Sequence, residues 1–307
     1  MKKFLYLITL LPLFGVAIAQ NSTHRELNDK QFKEIERSSF ECLYRYTVEG
    51  LNQNDEEFCD EYLTILQAGE NCAKFWDYGG FRADSIVYLA NSTSEEIAEA
   101  QNNFMIQMFY FDSEVFQNIP KGRTTENGVI GLSYYTYNEK QEELQWTLSS
   151  DTQTIMETPC NKATAEFGGR VWTAWYAPSI PASYGPWKLS GLPGLILKAS
   201  DNSGMHTFEA YSIRQNSLPI YDNTAKMRSK IAKAKYLKAK VIQEYNPVDV
   251  PVEAILNVEI QKLGGQTKML INGNVVRLHP NGYHSLEVVE LKDSEIPEKK
   301  LYEFPGK

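Results

Sequence analysis

The sequence predicts a mainly β protein of the α+β class: a curved antiparallel sheet with one or two helices packed on it, an open half-barrel being one form of it. Three observations carry this. Short runs of apolar and aromatic residues recur from Glu41 to Leu278, most of them alternating with polar ones. Turn signals separate them, with Asp201-Asn202-Ser203-Gly204 and Asn272-Gly273 the clearest. Only two segments, near 92–103 and 224–245, read as helices.

The N-terminus is read first. Lys2 and Lys3 precede an apolar stretch from Phe4 to Ala17, and Ala17-Ile18-Ala19 is an A-x-A cleavage site. This is the secretory signal pattern, so residues 1–19 are expected to be removed and the mature chain to begin at Gln20. The apolar run is shorter than the ~20 residues that a membrane-spanning helix needs. Residues 20–307 are expected to form a single, largely antiparallel β domain.

Glu41 to Val48 and Glu61 to Gln67 have the composition and alternation of strands, the second running into the turn residue Gly69. Ser92 and Glu95 form a capping box that opens a helix through about Asn103. Phe104 to Phe111 is nearly all apolar, as in a strand buried on both faces. From Gly131 short strands follow one another: Leu132–Tyr137, Leu144–Leu148 and Thr152–Glu157, the last two broken by Ser149-Ser150-Asp151. In Arg170–Ala177 the residues Trp172, Ala174 and Tyr176 share one face, and Val171, Thr173 and Trp175 the other. Two hairpins follow, Gly194–Ser200 with Met205–Ile213, and Lys268–Ile271 with Asn274–Leu278.

Between them Met227, Ile231, Ala234, Leu237 or Lys238, Val241 and Tyr245 recur at helical spacing. The other side carries Lys226, Arg228, Lys230, Lys233, Lys235, Lys238 and Lys240, and Asn246-Pro247 ends the helix. Such a face either touches an anionic membrane surface or is simply solvated.

Charge and cysteine content narrow the function classes. The chain has 31 basic and 39 acidic residues. Loss of residues 1–19 removes two lysines and no acid and leaves a net charge of −10, which argues against a nucleic-acid partner. Cys42, Cys59, Cys72 and Cys160 are four cysteines in an exported chain, so two disulfides are expected, with three connectivities open. Cys160, which no cysteine follows, is expected to join one of the other three. No C-x-x-C spacing is present, which weighs against a redox or zinc motif.

The segment Tyr184-Gly185-Pro186-Trp187-Lys188-Leu189-Ser190-Gly191-Leu192-Pro193-Gly194-Leu195-Ile196-Leu197 describes a rigid double turn feeding a strand. Its Gly191-Leu192-Pro193-Gly194-Leu195-Ile196 resembles the hallmark of the GLPGLI family, exported proteins of Gram-negative bacteria. Cys160-Asn161-Lys162-Ala163, Phe167-Gly168-Gly169-Arg170, Trp172-Thr173-Ala174-Trp175-Tyr176 and Ile180-Pro181 are similar to what precedes the hexapeptide in that family. Upstream, Leu66-Gln67-Ala68-Gly69 and Lys74-Phe75 resemble its N-terminal strand, with Ala73 where serine is usual. A lysine-rich helix ending in Asn-Pro is also similar, so the resemblance covers roughly residues 40–250. It implies export and brings no activity, substrate or catalytic residue. The hexapeptide itself has no nucleophile, base or metal ligand, so its constraint is read as one of shape.

Catalytic signals are absent from the sequence. His24, His206, His279 and His284 read as solvated or turn residues, and His279 with His284 is a weak metal spacing. No nucleophile elbow, zinc-protease, P-loop or dinucleotide motif occurs. No cofactor and no metal is expected. Function is read as an exported, non-catalytic envelope protein that binds an apolar ligand or an envelope partner through an aromatic sheet face, with Trp172, Trp175, Tyr176 and Trp187 as ligand-binding candidates. An assembly protein using the basic helix, or an enzyme of unrecognised type, are the alternatives.

Overall fold

The computed structural model describes residues 32–51, 57–88, 93, 95–96, 111–130, 133–215, 217–224, 226–245, 258–263, 266–271, 274–277 and 285–290. The expected signal peptide, His24, His279, His284 and most of the Phe104–Phe111 strand lie outside them. Of the first expected helix, Glu95 and Glu96 are helical. Its cap is formed one residue later than expected: Thr93 N donates to Glu96 Oε2 (2.6 Å) and Glu96 N to Thr93 Oγ1 (3.2 Å).

The chain runs as β1 (Phe32–Arg37), β2 (Phe40–Leu51), β3 (Glu57–Ala68), β4 (Ala73–Asp77), α1 (Tyr78–Tyr88), β5 (Ser113–Gln117), β6 (Arg123–Ile130) and β7 (Ser133–Lys140). There follow β8 (Thr147–Ile155), β9 (Thr158–Phe167), β10 (Arg170–Ala177), β11 (Leu195–Asp201), β12 (His206–Gln215), β13 (Pro219–Asn223), β14 (Ser229–Lys230) and α2 (Lys233–Tyr245). The last strands, β15 (Val258–Leu263), β16 (Gln266–Ile271) and β17 (Asn274–Arg277), form a separate three-stranded sheet, and Ile271 pairs with Asn274 across the expected Asn-Gly hairpin.

Twelve strands make one curved, open sheet in the order β14-β7-β6-β5-β4-β3-β2-β12-β11-β10-β9-β8. Its pairings are antiparallel except for the short β14–β7 contact. The two-residue period sorts the side chains onto its faces. Cys42, Tyr44, Tyr46 and Val48 of β2, Leu66 of β3 and Phe75 of β4 enter the main core with Trp172, Tyr176 and Phe208. The residues next to them in sequence, Leu43, Ile65 and Trp76, enter a second cluster on the opposite face, closed by Phe32 of β1, Phe81 of α1 and Tyr221 of β13. Here β1 and β13 pair as a two-stranded ribbon of their own. The central strand β4 is therefore buried along its whole length, whereas edge strand β8 is exposed over most of its length. Among the described residues no helix is long and apolar enough to cross a membrane.

Three expectations change. β8 runs through Ser149-Ser150-Asp151 without a break, because a register shift between Leu148 and Thr152 absorbs those residues as a bulge against β9. The basic helix begins at Lys233 rather than near 224. Before it, Lys226 and Arg228 reach Glu114 (2.6 and 3.1 Å) and Arg228 reaches Asp222 (2.9 Å), which pins the chain extended and leaves Met227 in solvent.

The four cysteines form no disulfide. Cys42 faces Leu66 across β2–β3, and Cys59 is seven residues further along β3, about 23 Å at strand rise. Cys160 lies on β9, four strands from β2. Cys72, beside β4, donates instead to Glu36 Oε2 (3.0 Å). Burial pushes the Cys42 thiol up to about 12. Alkylation without reductant in denaturant is expected to label all four thiols, and in native buffer the exposed Cys59 well before the others; mass spectrometry that found paired cysteines would contradict the placement.

Candidate ligand-binding cleft

The loop between β10 and β11, residues 178–194, contains the Gly/Pro-rich motif and folds back on the sheet through its own backbone. Leu195 N donates to Ile180 O (3.0 Å), Ile196 N to Tyr184 O (3.1 Å), Gly191 N to Ser183 O (3.0 Å) and Leu189 N to Pro186 O (3.0 Å). Two motif glycines are required. Gly191 has φ +94°, outside the range that L side chains favour. At Gly194 a Cβ would stand 2.3 Å from Ala177 O, so the strand can leave the turn only past a bare Cα. Leu195, Ile196 and Leu197 are then fully buried, which places both faces of β11 in the core.

Trp187 holds φ +53°, a left-handed backbone that costs a non-glycine residue about 1 kcal/mol or more. Two features secure it. Its ring packs against Phe167 and Trp172 (centroids 5.2 and 5.9 Å), and the buried Gln117 Nε2 donates to both Gly185 O (3.2 Å) and Trp187 O (2.8 Å). The twist drives the next side chain, Lys188, inward.

Lys188 Nζ is caged by Glu126 (2.9 Å), Glu139 (3.0 Å), Glu287 (2.7 Å) and the Tyr137 hydroxyl (2.8 Å). Burial would depress this ammonium, but the surrounding carboxylates outweigh it and hold it above its ordinary value. Burial likewise would raise Glu126, and Lys188 and Lys240 overcome it, holding that carboxyl down at about 2. Lys233 of α2 joins the cage through Glu139 (2.7 Å) and Glu287 (2.8 Å), and Lys240 is anchored on Asp112 (2.6 Å). With Lys226 and Arg228 on Glu114, four of the seven basic residues expected as a solvated or membrane-facing stripe are paired within the chain. Lys230 and Lys235 remain exposed.

Beside this segment opens a cleft of about 1300 Å³. The loop's Ile180, Pro181, Ala182 and Tyr184 form one wall, and Leu144 in the irregular stretch before β8 forms the other. Phe40 and Ile213, from the ends of β2 and β12, complete the apolar lining. Its charged groups are Glu70, Lys140, Glu142 and Glu143, all exposed. Trp146 Nε1 donates to Ser190 O (2.8 Å) and ties the two walls together. Burial, with Cys72 and Glu36, pushes the Tyr184 phenol up to about 12, so it stays a neutral hydrogen-bond donor. The lining offers apolar contact and hydrogen bonds.

The aromatic candidates lie elsewhere. Trp172, Tyr176 and Trp187 are buried in the core, because the 178–194 loop, Trp187 included, closes over the sheet face that Trp172 and Tyr176 occupy. They present no open surface. Trp175 alone is half-exposed, on the outer face with Lys162 Nζ 5.9 Å from its ring centroid. His206 is buried rather than solvated: its Nδ1 bonds the Tyr46 hydroxyl (2.8 Å) and its amide donates to Asp201 Oδ1 (2.9 Å). Among the described residues no cluster of three or more His, Cys, Asp or Glu could hold a metal ion. Lys188 and Gln117 were not anticipated; the one signal was a lysine set in an otherwise apolar motif.

A family model described as a protein of unknown function (Porph_ging) matches residues 168–198. No curated protein matches the chain. Among solved structures, PNGF-II in the P21 space group is 12% identical with a TM-score of 0.45, covering 76% of this chain and 36% of that one. PNGF-II in the C2 space group is 14% identical with a TM-score of 0.43, covering 68% and 32%. The chain thus spans about a third of the length of those two. The LolA superfamily protein NE2245 from Nitrosomonas europaea is 8% identical with a TM-score of 0.24, covering 68% of this chain and 97% of that one.

Gly194→Ala is expected to cost at least about 1–3 kcal/mol in urea denaturation, since backbone atoms must yield to the new methyl. Lys188→Met, which leaves the buried Glu126 without its cation while Glu139 and Glu287 keep Lys233, is expected to cost about 3–5 kcal/mol. Because Glu126 titrates lower in the fold than its ordinary 4.5, its contribution is present above pH 4.5 and lost as pH falls toward 2. Stability measured between pH 7 and 2 should decline in that window, and a flat profile would contradict the cage.

Proposed function

We propose that this is an exported, non-catalytic envelope protein of the GLPGLI family that binds an apolar or amphipathic ligand in the cleft beside the hexapeptide. One observation carries the reading: the motif segment, whose shape is enforced by Gly191, Gly194 and Lys188, supplies a whole wall of the 1300 Å³ cleft. A recess whose wall joins apolar side chains with polar groups is a frequent basis of ligand sites. The ligand-binding role thus moves from Trp172, Tyr176 and Trp187 to Phe40, Leu144, Ile180, Tyr184 and Ile213. Export rests on the signal pattern of residues 1–19 and on the family resemblance. An assembly role for the basic segment is less favoured, since Lys226, Arg228, Lys233 and Lys240 already have acidic partners.

The neutral fluorophore N-phenyl-1-naphthylamine tests the cleft. Saturable, one-site binding is expected, weakened at least tenfold by Leu144→Asp without loss of melting temperature, and untouched by Val171→Asp on the exposed outer face. Absence of saturable binding, or indifference to Leu144→Asp, would sink the reading. Separately, material secreted from the full-length gene should begin at Gln20 in N-terminal sequencing.

A further inference from the structure

Residues 285–290 cross the β9–β10 turn as a strap without regular secondary structure. Its contacts are those of a bound peptide. Val288 N donates to Gly168 O (2.8 Å), and Arg170 Nε and Nη2 donate to Leu286 O (3.1 Å) and Ser285 O (3.0 Å). Leu286 packs against the main core. Val288 lies over Gly169, where a Cβ would meet it at 2.8 Å. The Glu287 carboxylate is buried between Lys188 (2.7 Å) and Lys233 (2.8 Å).

The groove keeps its partners when the strap is subtracted. Lys188 retains Glu126, Glu139 and Tyr137, Lys233 retains Glu139, and Arg170 retains Asp201 (2.9 Å). Within the cage, Lys188 and Lys233 then balance Glu126 and Glu139, so Glu287 is a surplus carboxylate and not the one that neutralises the cage. We propose that the groove walled by Gly168–Arg170, Lys188 and Lys233 is a recognition site for an extended acidic peptide, which Ser285–Glu290 of the same chain fills in cis. The recognised segment is a glutamate flanked by apolar residues, as in Leu286-Glu287-Val288: backbone hydrogen bonds supply affinity and the lysine pair supplies specificity. The site is separate from the cleft and rests on no part of that reading.

A fluorescein-labelled peptide with the sequence of residues 284–291 tests it by anisotropy. The full chain carrying Glu287→Ala, whose strap has lost its anchor, is expected to bind at least tenfold more tightly than the wild-type chain. It should also prefer that peptide at least tenfold over one with glutamine at the central position. A folded Glu287→Ala chain that ignores the peptide, or takes both peptides equally, overturns the proposal. So does a Glu287→Ala chain that fails to fold, since the strap would then be part of the fold and not its guest. Hydrogen exchange of the wild-type chain reads the same point without a variant: amides of 285–290 should exchange at least tenfold faster than those of β11, and exchange in step with β11 overturns it.

Discussion

The buried ammonium of Lys188 is the point on which the molecule's remote parts converge. Glu126 and Glu139 reach it from β6 and β7, Glu287 from the C-terminal strap, and Lys233 of α2 shares two of the same carboxylates. A charge so enclosed is tolerated only because its hydrogen-bonding positions are filled, and each partner is in turn fixed by the need to fill them. Shifting β6 would part the buried Glu126 from its cation, and shifting β7 would take Glu139 from both lysines. The cage therefore sets relative position more than it adds net stability.

The motif's unusual composition follows from delivering that lysine. A chain leaving β10 must reverse, place one long side chain inward, and re-enter the sheet as β11 beside the strand it left. The left-handed backbone at Trp187, held by Gln117, turns Lys188 into the cage. Gly191 and Gly194 allow the return, the second because nothing larger fits beneath Ala177 O. The cleft is a by-product of the same excursion, since the loop that closes over the aromatic face stands away from Leu144 and Phe40.

Much of the fold was legible because it is written in short-range pattern. Arg170–Ala177 was read with its limits and both faces, and the 195–215 hairpin within a residue or two. What failed depended on partners distant in sequence. The stretch 224–232 has helical spacing, yet Glu114 and Asp222 hold Lys226 and Arg228 extended, and nothing local announces those acids. Trp172 and Trp187 looked like surplus aromatics, but the loop that carries Trp187 onto Trp172 folds back by bonds between residues such as Ile196 and Tyr184. The even cysteine count suggested pairing; register sets Cys42 and Cys59 far apart along one hairpin and Cys160 several strands away. The candidate site was least legible, because a cleft is defined by what the chain leaves empty.

The exposed edge at β8 has a consequence for how copies of this protein coexist at high concentration. A twelve-stranded open sheet invites end-to-end growth, each molecule offering its last strand to the next. Here that strand is bulged across Ser149–Asp151, and Asp151 sits at the distortion, bridged to Lys162 on β9 (3.0 Å). An incoming strand would meet broken spacing and a carboxylate where it needs an even ladder. The irregularity that interrupts the pattern thus acts as a terminator, keeping a sheet of this size from becoming the seed of a fibre.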